Sequence, residues 1–251
     1  SSIFGPIHSR RLGTSLGVNL SPTDGKVCSF DCIYCEAGYN SQGQGKSGLP
    51  SRASVKRQLN NKLKEMKENG EPLDVITFSG NGEPTVHPEF GGIISDTLML
   101  RDRYFPEVKV NVLCNSTFLS NPKVVEALKK VDGNILKLDS AKAPTMRLIN
   151  APVNKNVLPE GIISDLKQFG GKCIIQTMLL RGSHDGKIVD NTTDEEVGAL
   201  IKAYKEIKPK SVMLYSIDRP TPESNLQKVS KEELEKIADK IRAEGIEVEC
   251  F

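Results

Sequence analysis

The sequence predicts an α/β protein that folds as a partial (β/α)6 TIM-like barrel, laterally open, with parallel strands inside and outer helices. Short runs rich in β-branched residues alternate with longer helical patterns along the chain. Six βα units are counted, two fewer than a closed eight-unit barrel contains. The chain has 251 residues, so we expect a single domain that spans residues 1–251. A flat, doubly wound sheet is the alternative arrangement of the same units.

The strands are predicted from short apolar runs that are bounded by glycine, proline or small polar residues. Six runs show this pattern clearly: Gly17–Leu20, Asp74–Gly80, Lys109–Ser116, Asn134–Ser140, Lys172–Leu179 and Ser211–Asp218. A last apolar stretch, Ile246–Phe251, is a candidate seventh strand. Because a helical segment separates each strand from the next, the strands are expected to run parallel.

The helices are predicted from the longer periodic segments between the strands. Six segments qualify: Ser54–Glu68, Phe90–Arg101, Pro122–Lys130, Asn156–Phe169, Asp194–Ile207 and Lys231–Glu244. Thr193 with Glu196, and Ser230 with Glu233, have the spacing of a capping box at a helix start. Asn121 directly precedes a proline, which fits an N-cap followed by the first helical residue.

The composition is that of an ordinary soluble protein. Hydrophobic residues make up 37% of the chain and charged residues 26%, which excludes a disordered chain. The 34 Lys and Arg against 32 Asp and Glu leave a net charge of +2, which argues against a strongly basic nucleic-acid-binding module. No apolar run approaches the roughly 18 residues of a membrane helix, so no membrane association is expected.

Three of the six cysteines stand close together in the segment CSFDCIYC, namely Cys28, Cys32 and Cys35. Six cysteines are too few for a disulfide-stapled secreted scaffold of this length, so we expect a reducing, cytoplasmic compartment and metal ligation. Three thiolates are one fewer than the usual four of an iron–sulfur cluster or a structural zinc, so one metal position would stay open. The other three cysteines are interpreted as small buried residues: Cys114, Cys173 and Cys250.

The C-x3-C-x2-C spacing, with Tyr34 directly before the last cysteine, resembles that of the radical S-adenosylmethionine (SAM) superfamily. The segment SGNGEP, Ser79–Pro84, follows the second predicted strand and matches the family's Gly-Gly-Glu position, with Asn81 in place of one glycine. The resemblance implies that the three cysteines hold three irons of a [4Fe–4S] cluster. It also implies that the amino and carboxylate groups of S-adenosyl-L-methionine chelate the fourth iron.

The same resemblance implies cofactor contacts for the residues near these motifs. Gly80, Asn81, Gly82 and Glu83 would bind the methionine amino group, since glycines let a ligand approach the backbone and Glu83 carries a negative charge. Tyr34 would pack on the adenine ring. These five residues and the three cysteines form the predicted cofactor site.

Strand alternation predicts which further side chains face the interior of the barrel. In Asn134–Ser140 the two leucines share one face, so Lys137 and Asp139 are expected to point inward. Polar residues at the carboxyl ends of barrel strands are typical of site residues. Four are candidates for binding SAM: Asn115, Ser116, Asp139 and Gln176. Three others are candidates for facing the substrate: Lys137, Tyr215 and Arg219.

Two further segments, GPIHSRRLGTSLGVNL and YSIDRPTPE, resemble the stand-alone radical SAM enzymes that are related to the wyosine-base synthases, which modify tRNA. This resemblance implies reductive cleavage of SAM to a 5′-deoxyadenosyl radical, which abstracts hydrogen from a nucleobase or another small molecule, or from tRNA. It also implies a flavodoxin or ferredoxin-type reductant as a partner.

Two alternative functions remain open from the sequence. An activating enzyme of glycyl-radical enzymes has a similar length and would act on a protein backbone glycine. A non-catalytic iron–sulfur protein for electron transfer would need a fourth protein ligand to its cluster. A basic stretch from Lys46 to Lys67 could accept RNA phosphates, but it lacks interleaved aromatic residues and is interpreted as a solvated helix face.

Overall fold

The computed structural model describes residues 1–43 and 45–251, and the chain divides into two compact units. The first unit comprises Ser1–Cys28, Gly43–Cys114 and Ser120–Asn134. The second unit comprises Ser29–Gln42, Asn115–Leu119 and Ile135–Phe251. Each unit contains strands and covering helices, and each is described by itself.

The first unit is built on four strands. Its elements in chain order are β1 (Ile3–Ser9), β2 (Gly13–Val18), α1 (Arg52–Glu68), β3 (Val75–Phe78), α2 (Phe90–Tyr104), β4 (Lys109–Cys114) and α3 (Pro122–Lys130). The strands lie in the order β1-β2-β3-β4, with β1 antiparallel to β2 and the other three parallel. Val18 pairs with Phe78, and Phe78 with Val112, so the carboxyl ends of the parallel strands lie at one edge.

The second unit contains the rest of the parallel strands and a small antiparallel sheet. Its elements are β5 (Gly133–Lys137, from Ile135 on), α4 (Ala143–Asn150), α5 (Pro159–Leu166), β6 (Ile174–Met178), β7 (Leu180–His184), β8 (Lys187–Asp190), α6 (Asp194–Ile207), β9 (Ser211–Tyr215), β10 (Leu226–Lys228), α7 (Lys231–Arg242) and β11 (Val248–Cys250). Strands β5-β6-β9-β11 are parallel neighbours, and β10-β7-β8 form the antiparallel sheet. The predicted α/β class with parallel strands is confirmed.

The helices form where the sequence supplies an apolar stripe and a cap. In α1 the buried residues are Val55, Leu59, Leu63 and Met66, which recur every three or four positions on one face. The predicted N-caps are confirmed by three hydrogen bonds. These join Thr193 Oγ1 to the backbone N–H of Glu196, Ser230 Oγ to that of Glu233, and Asn121 Oδ1 to that of Lys123.

All seven predicted strands are present, but four further strands and one α-helix of the described residues were not predicted. These are β1, β7, β8, β10 and α4. Strand β1 contains Gly5 and Pro6, and both residue types weaken the strand pattern. Helix α4 has only eight residues, and Lys142 at its N-cap makes no side-chain hydrogen bond to it. Its start has Pro144 but no side-chain cap and no acidic residue in the first turn, so the sequence signal is weak.

The three cysteines outside the motif differ in burial. Cys114 and Cys173 are fully buried, as predicted, and burial raises the pKa of the Cys173 thiol to about 12. The prediction is wrong for Cys250, which is half-buried because it closes the edge strand β11. Among the residues that the structure describes, no helix is both long and apolar enough to cross a bilayer.

Candidate cofactor site

The loop that carries Cys32 and Cys35 is fixed by the carboxyl end of α4. The backbone N–H of Asp31 donates to the carbonyl of Asn150 at 2.8 Å, and that of Ile33 donates to the carbonyl of Ile149 at 3.0 Å. These carbonyls belong to the last turn of α4, where the helix supplies no partner of its own. The cysteine loop therefore satisfies the helix end, and the helix end in turn fixes the course of the loop.

Two tight turns then place the thiols of this loop. The N–H of Cys35 donates to the carbonyl of Cys32 at 3.2 Å, and the N–H of Gly38 donates to that of Cys35 at 3.0 Å. Cys32 is buried, whereas Cys35 is half-buried. Such a turn brings the Cα atoms of residues three apart to within about 7 Å of each other, which suits two ligands of a shared metal centre.

Cys28 is the last residue of the segment Ser1–Cys28 in the first unit, and the Gly80–Glu83 loop fixes the backbone just before it. The N–H of Glu83 donates to the carbonyl of Val27 at 3.1 Å. Cys28 itself is half-buried. Within residues 1–43 and 45–251, no three His, Cys, Asp or Glu side chains already stand as a metal-binding group. The ligand set therefore remains a prediction from the spacing of the motif.

The Gly80–Glu83 loop contains glycines because the chain passes too close for a side chain. Gly80 has a φ of +121°, and a Cβ there would lie 2.5 Å from Asn19 Oδ1. A Cβ on Gly82 would lie 1.9 Å from the carbonyl oxygen of Val27. Asn19 follows β2, and its Oδ1 accepts hydrogen bonds from the backbone N–H groups of Asn81 and Ser21 at 3.3 and 3.1 Å. Asn19, which the sequence did not single out, thus braces the loop.

Glu83 lies at the end of this loop and is buried. Its carboxylate accepts hydrogen bonds from the backbone N–H of Thr85, at 3.1 Å, and from the Thr85 hydroxyl. It thereby caps the 3-10 helix Pro84–Val86. The carboxylate predicted to meet the methionine amino group is consequently held in one orientation by the backbone N–H and the hydroxyl of Thr85.

Replacing Gly82 by alanine is expected to lower the free energy of unfolding by about 1–3 kcal/mol, since the new methyl group would overlap the backbone of Val27. Urea denaturation of the cluster-free protein measures this change. Gly91→Ala is the matched control in α2, because its Cβ would meet only Ala127 Cβ at an ordinary 4.0 Å and it removes a helical glycine. A Gly82→Ala variant as stable as the Gly91→Ala variant would contradict the crowding at this loop.

Asp139, just beyond β5, is the centre of a buried hydrogen-bond network in the second unit. Its Oδ2 accepts from the hydroxyl of Tyr34 at 2.5 Å and from Nδ2 of Asn150 at 2.8 Å. Its Oδ1 accepts from the backbone N–H of Met178 at 2.9 Å, and Lys137 Nζ lies 3.5 Å from Oδ2. Asp139 and Asn150 are each 1% exposed. The carboxylate that was predicted to bind SAM is therefore already surrounded by four donors.

Lys137 is held as a cation among aromatic rings. Its Nζ lies 3.0 Å from the hydroxyl of Tyr215 and 5.2 and 5.6 Å from the ring centres of Tyr34 and Tyr215. Burial alone would lower the pKa of Lys137, but the Asp139 carboxylate outweighs it and the pKa is raised. Burial, followed by the charge of Asp139, raises the pKa of Tyr34 well above its usual value. Lys137 therefore stays charged and Tyr34 stays a neutral donor.

The remaining predicted residues lie around this network or at the surface. Asn115 Nδ2 donates to the hydroxyl of Ser29 at 2.8 Å, in the segment before the cysteine loop. Ser116 has a φ of +72°, a strained value for a non-glycine residue, and its hydroxyl donates to the carbonyl of Lys137. Gln176 is buried on β6 and pairs in register with Lys137. Arg219 is exposed and forms a 3.2 Å ion pair with Glu36, the residue that follows Cys35.

The donor set in the cysteine loop fits an iron–sulfur cluster. None of the six cysteines, all of which are described, is in a disulfide, and thiolates are the usual protein ligands of such clusters. The side-chain amide of Asn150 also lies with Nδ2 3.3 Å from Cys32 Sγ, and a hydrogen bond to a ligating sulfur is a common feature of these sites. Asn150 was missed from the sequence because α4 was missed.

A comparison of the sequence with known protein families finds a match that includes most of the candidate cofactor site. The sequence model described as the radical SAM superfamily matches residues 23–191. A protein named GTPase Obg from Brachyspira hyodysenteriae is 32% identical over 93% of this chain, but the chain spans only 32% of that protein. A UPF0026 protein from Helicobacter pylori is 30% identical, with 92% of this chain and 71% of that protein covered.

Solved structures show the same fold. A radical SAM methyltransferase from Sphaerobacter thermophilus has a TM-score of 0.69 at 18% identity, with 94% of this chain and 66% of that chain covered. SuiB of Streptococcus suis bound to S-adenosylmethionine has a TM-score of 0.64 at 17% identity, with 93% and 50% covered. TYW1 with a lysine-pyruvate adduct has a TM-score of 0.62 at 17% identity, with 93% and 75% covered. The likenesses confirm the predicted fold class, a partial TIM-like barrel.

Proposed function

Since this chain belongs to the radical SAM superfamily, whose members use a [4Fe–4S] cluster and SAM, we propose that it is an enzyme in which Cys28, Cys32 and Cys35 hold three of the four irons. The radical SAM core is proposed to span residues 1–251. When bound, the reduced cluster supplies an electron that cleaves SAM to a 5′-deoxyadenosyl radical, which takes a hydrogen atom from the substrate. A flavodoxin or ferredoxin-type protein is the proposed electron donor.

The observation that carries this proposal is the anchored cysteine motif. In the second unit the carboxyl end of α4 holds the loop that contains Cys32 and Cys35. In the first unit the N–H of Glu83 holds the chain just before Cys28. Both anchors act on the backbone, and a fixed backbone preorganises a ligand loop.

We assign the residues of the two loops separate tasks. Gly80, Asn81 and Gly82 are proposed to meet the methionine amino group through the backbone, because the two glycines have no side chains of their own to block its approach. Glu83 offers a fixed carboxylate, which suits an ammonium group. Tyr34 is proposed to line the adenine side of the site, with its hydroxyl held by Asp139. Asn115, Ser116 and Gln176 stay candidates for the ribose and the methionine carboxylate.

The structure also restricts what the substrate-facing residues can do. Lys137 is a charged donor that is hydrogen-bonded to Tyr215 and paired with Asp139, so its amine is not available as a nucleophile. We propose that Lys137 and Tyr215 orient a polar group of the substrate, and that Arg219 meets it from the surface. A nucleobase, free or in tRNA, is the proposed substrate class, which the segments GPIHSRRLGTSLGVNL and YSIDRPTPE support by resemblance.

The proposed activity predicts a defined product. Anaerobic reconstitution with iron and sulfide should give about four irons per chain, and dithionite with SAM should then yield 5′-deoxyadenosine, which chromatography detects. A reconstituted protein that is reduced by dithionite but leaves SAM intact would overturn the enzymatic proposal in favour of a non-catalytic electron-transfer protein. A protein that binds no iron would overturn the cluster itself.

A further inference from the structure

The side chain of Asn150 joins the cysteine loop to the Asp139 network. Its Nδ2 donates to Asp139 Oδ2 at 2.8 Å and to Cys32 Sγ at 3.3 Å, a normal distance for an N–H···S hydrogen bond. One amide nitrogen carries two hydrogens, so both bonds can form at the same time. Asn150 is 1% exposed, so water does not compete for either bond.

The backbone of Asn150 holds the same loop that its side chain touches. Its carbonyl accepts from the N–H of Asp31 at 2.8 Å, and the preceding carbonyl, of Ile149, accepts from the N–H of Ile33. The two donors, the N–H groups of Asp31 and Ile33, lie one residue to either side of Cys32 in the sequence. The position of Cys32 Sγ relative to the amide is therefore set by two backbone hydrogen bonds and not by the sulfur contact alone.

The orientation of the amide is fixed by its neighbours. Asp139 Oδ2 is an acceptor that also receives the Tyr34 hydroxyl and lies 3.5 Å from Lys137 Nζ. If the amide were rotated by half a turn, its oxygen would face the carboxylate oxygen, and two acceptors would meet in a buried site. The nitrogen must therefore face Asp139, and its second hydrogen is directed at the sulfur of Cys32.

We propose that Asn150 is a positioning residue that raises the reduction potential of the cluster by donating a hydrogen bond to the Cys32 thiolate. This inference rests on the proposed function, because it requires Cys32 to ligate iron. The reduced cluster carries one more negative charge than the oxidised cluster, so a donor at a ligating sulfur stabilises the reduced form more. At a buried hydrogen bond such as this one, the difference is larger than at a surface. The neighbouring Lys137 ammonium acts in the same direction, and the Asp139 carboxylate opposes it.

The test is the midpoint potential of the reconstituted cluster in an Asn150→Leu variant. Leucine has a similar size but no donor, so at a fixed applied potential the reduced-to-oxidised ratio should fall about tenfold. For one electron this corresponds to a midpoint about 59 mV lower. Redox titration monitored by electron paramagnetic resonance gives the value for both proteins. Thr145→Val is the matched control, because it removes one hydrogen bond from the same helix, to Glu196, and should leave the potential unchanged.

A second measurement does not depend on whether the leucine variant folds. Wild-type protein labelled with ¹⁵N-asparagine should show a nitrogen coupled to the reduced cluster in pulsed electron paramagnetic resonance, because Nδ2 of Asn150 lies 3.3 Å from a ligating sulfur. The inference would be overturned if the wild-type cluster showed no such coupling and the Asn150→Leu variant showed no shift in potential. That result would leave the proposed function standing. Wild-type protein that assembles no cluster would overturn the proposed function itself.

Discussion

Replacing any one of Cys28, Cys32 and Cys35 by alanine is expected to abolish formation of 5′-deoxyadenosine from SAM. Each variant should also lose most of the iron that the wild-type protein takes up on anaerobic reconstitution. The physical reason is that a cluster with one iron already open to SAM has only three protein ligands, so no thiolate is spare. Iron analysis, the visible spectrum of the cluster and the yield of 5′-deoxyadenosine measure the three effects together.

The chain supplies its own controls for this experiment. Cys173 is buried in the sheet of the second unit and has a pKa raised to about 12, so it is a neutral thiol at neutral pH and a poor metal ligand. Alanine at Cys114, Cys173 or Cys250 should therefore leave the iron content and the product yield unchanged. Full SAM cleavage by a Cys28, Cys32 or Cys35 variant would contradict the ligand set, and loss of the cluster in a control would point to a fourth protein ligand.

The cysteine motif and the Gly80–Glu83 loop could be predicted from the sequence because their parts are neighbours along the chain. The three cysteines fall within eight residues, and SGNGEP is continuous. The caps of α3, α6 and α7 were predicted for the same reason, since a cap and its partner lie within three residues. Strand alternation likewise placed Lys137 and Asp139 together, because it too is a local rule.

The partners of these residues could not be predicted, because they come from distant parts of the chain. Asn150 is 118 residues from Cys32, and Asn19 is 62 residues from Asn81. Asn19 lies within GPIHSRRLGTSLGVNL but was not among the predicted site residues, and α4, which positions Asn150, has no side-chain cap. Glu196 is a comparable case. Its carboxylate accepts hydrogen bonds from the hydroxyls of Ser140 and Thr145, about 50 residues away, which no capping pattern indicates.

Replacing Asp139 by asparagine is expected to lower the free energy of unfolding by about 3–5 kcal/mol, although the two side chains have nearly the same shape. The carboxylate has four donors around it, from Tyr34, Asn150, Met178 and Lys137. An amide has one acceptor oxygen, and its nitrogen would face a donor where the carboxylate now offers an acceptor. The Lys137 cation would also lose its buried counter-charge. Urea denaturation of the cluster-free protein, followed by circular dichroism, measures the loss.

A double-mutant cycle separates the contribution of the Lys137–Asp139 charge pair to the free energy of unfolding from that of side-chain shape. Lys137→Met removes the cation, so the Lys137→Met, Asp139→Asn double variant should lose less stability than the sum of the two single changes, by about 1–3 kcal/mol. Glu195→Gln is the control for an ion pair at the surface. The pair of Glu195 with Lys142 is exposed to solvent, which screens it. Its loss should therefore leave the free energy of unfolding, measured by the same urea denaturation, nearly unchanged. Additive effects in the cycle would mean that Lys137 and Asp139 do not stabilise each other. The Asp139 carboxylate would then hold Tyr34 and Asn150 through its hydrogen bonds, without a contribution from the Lys137 charge.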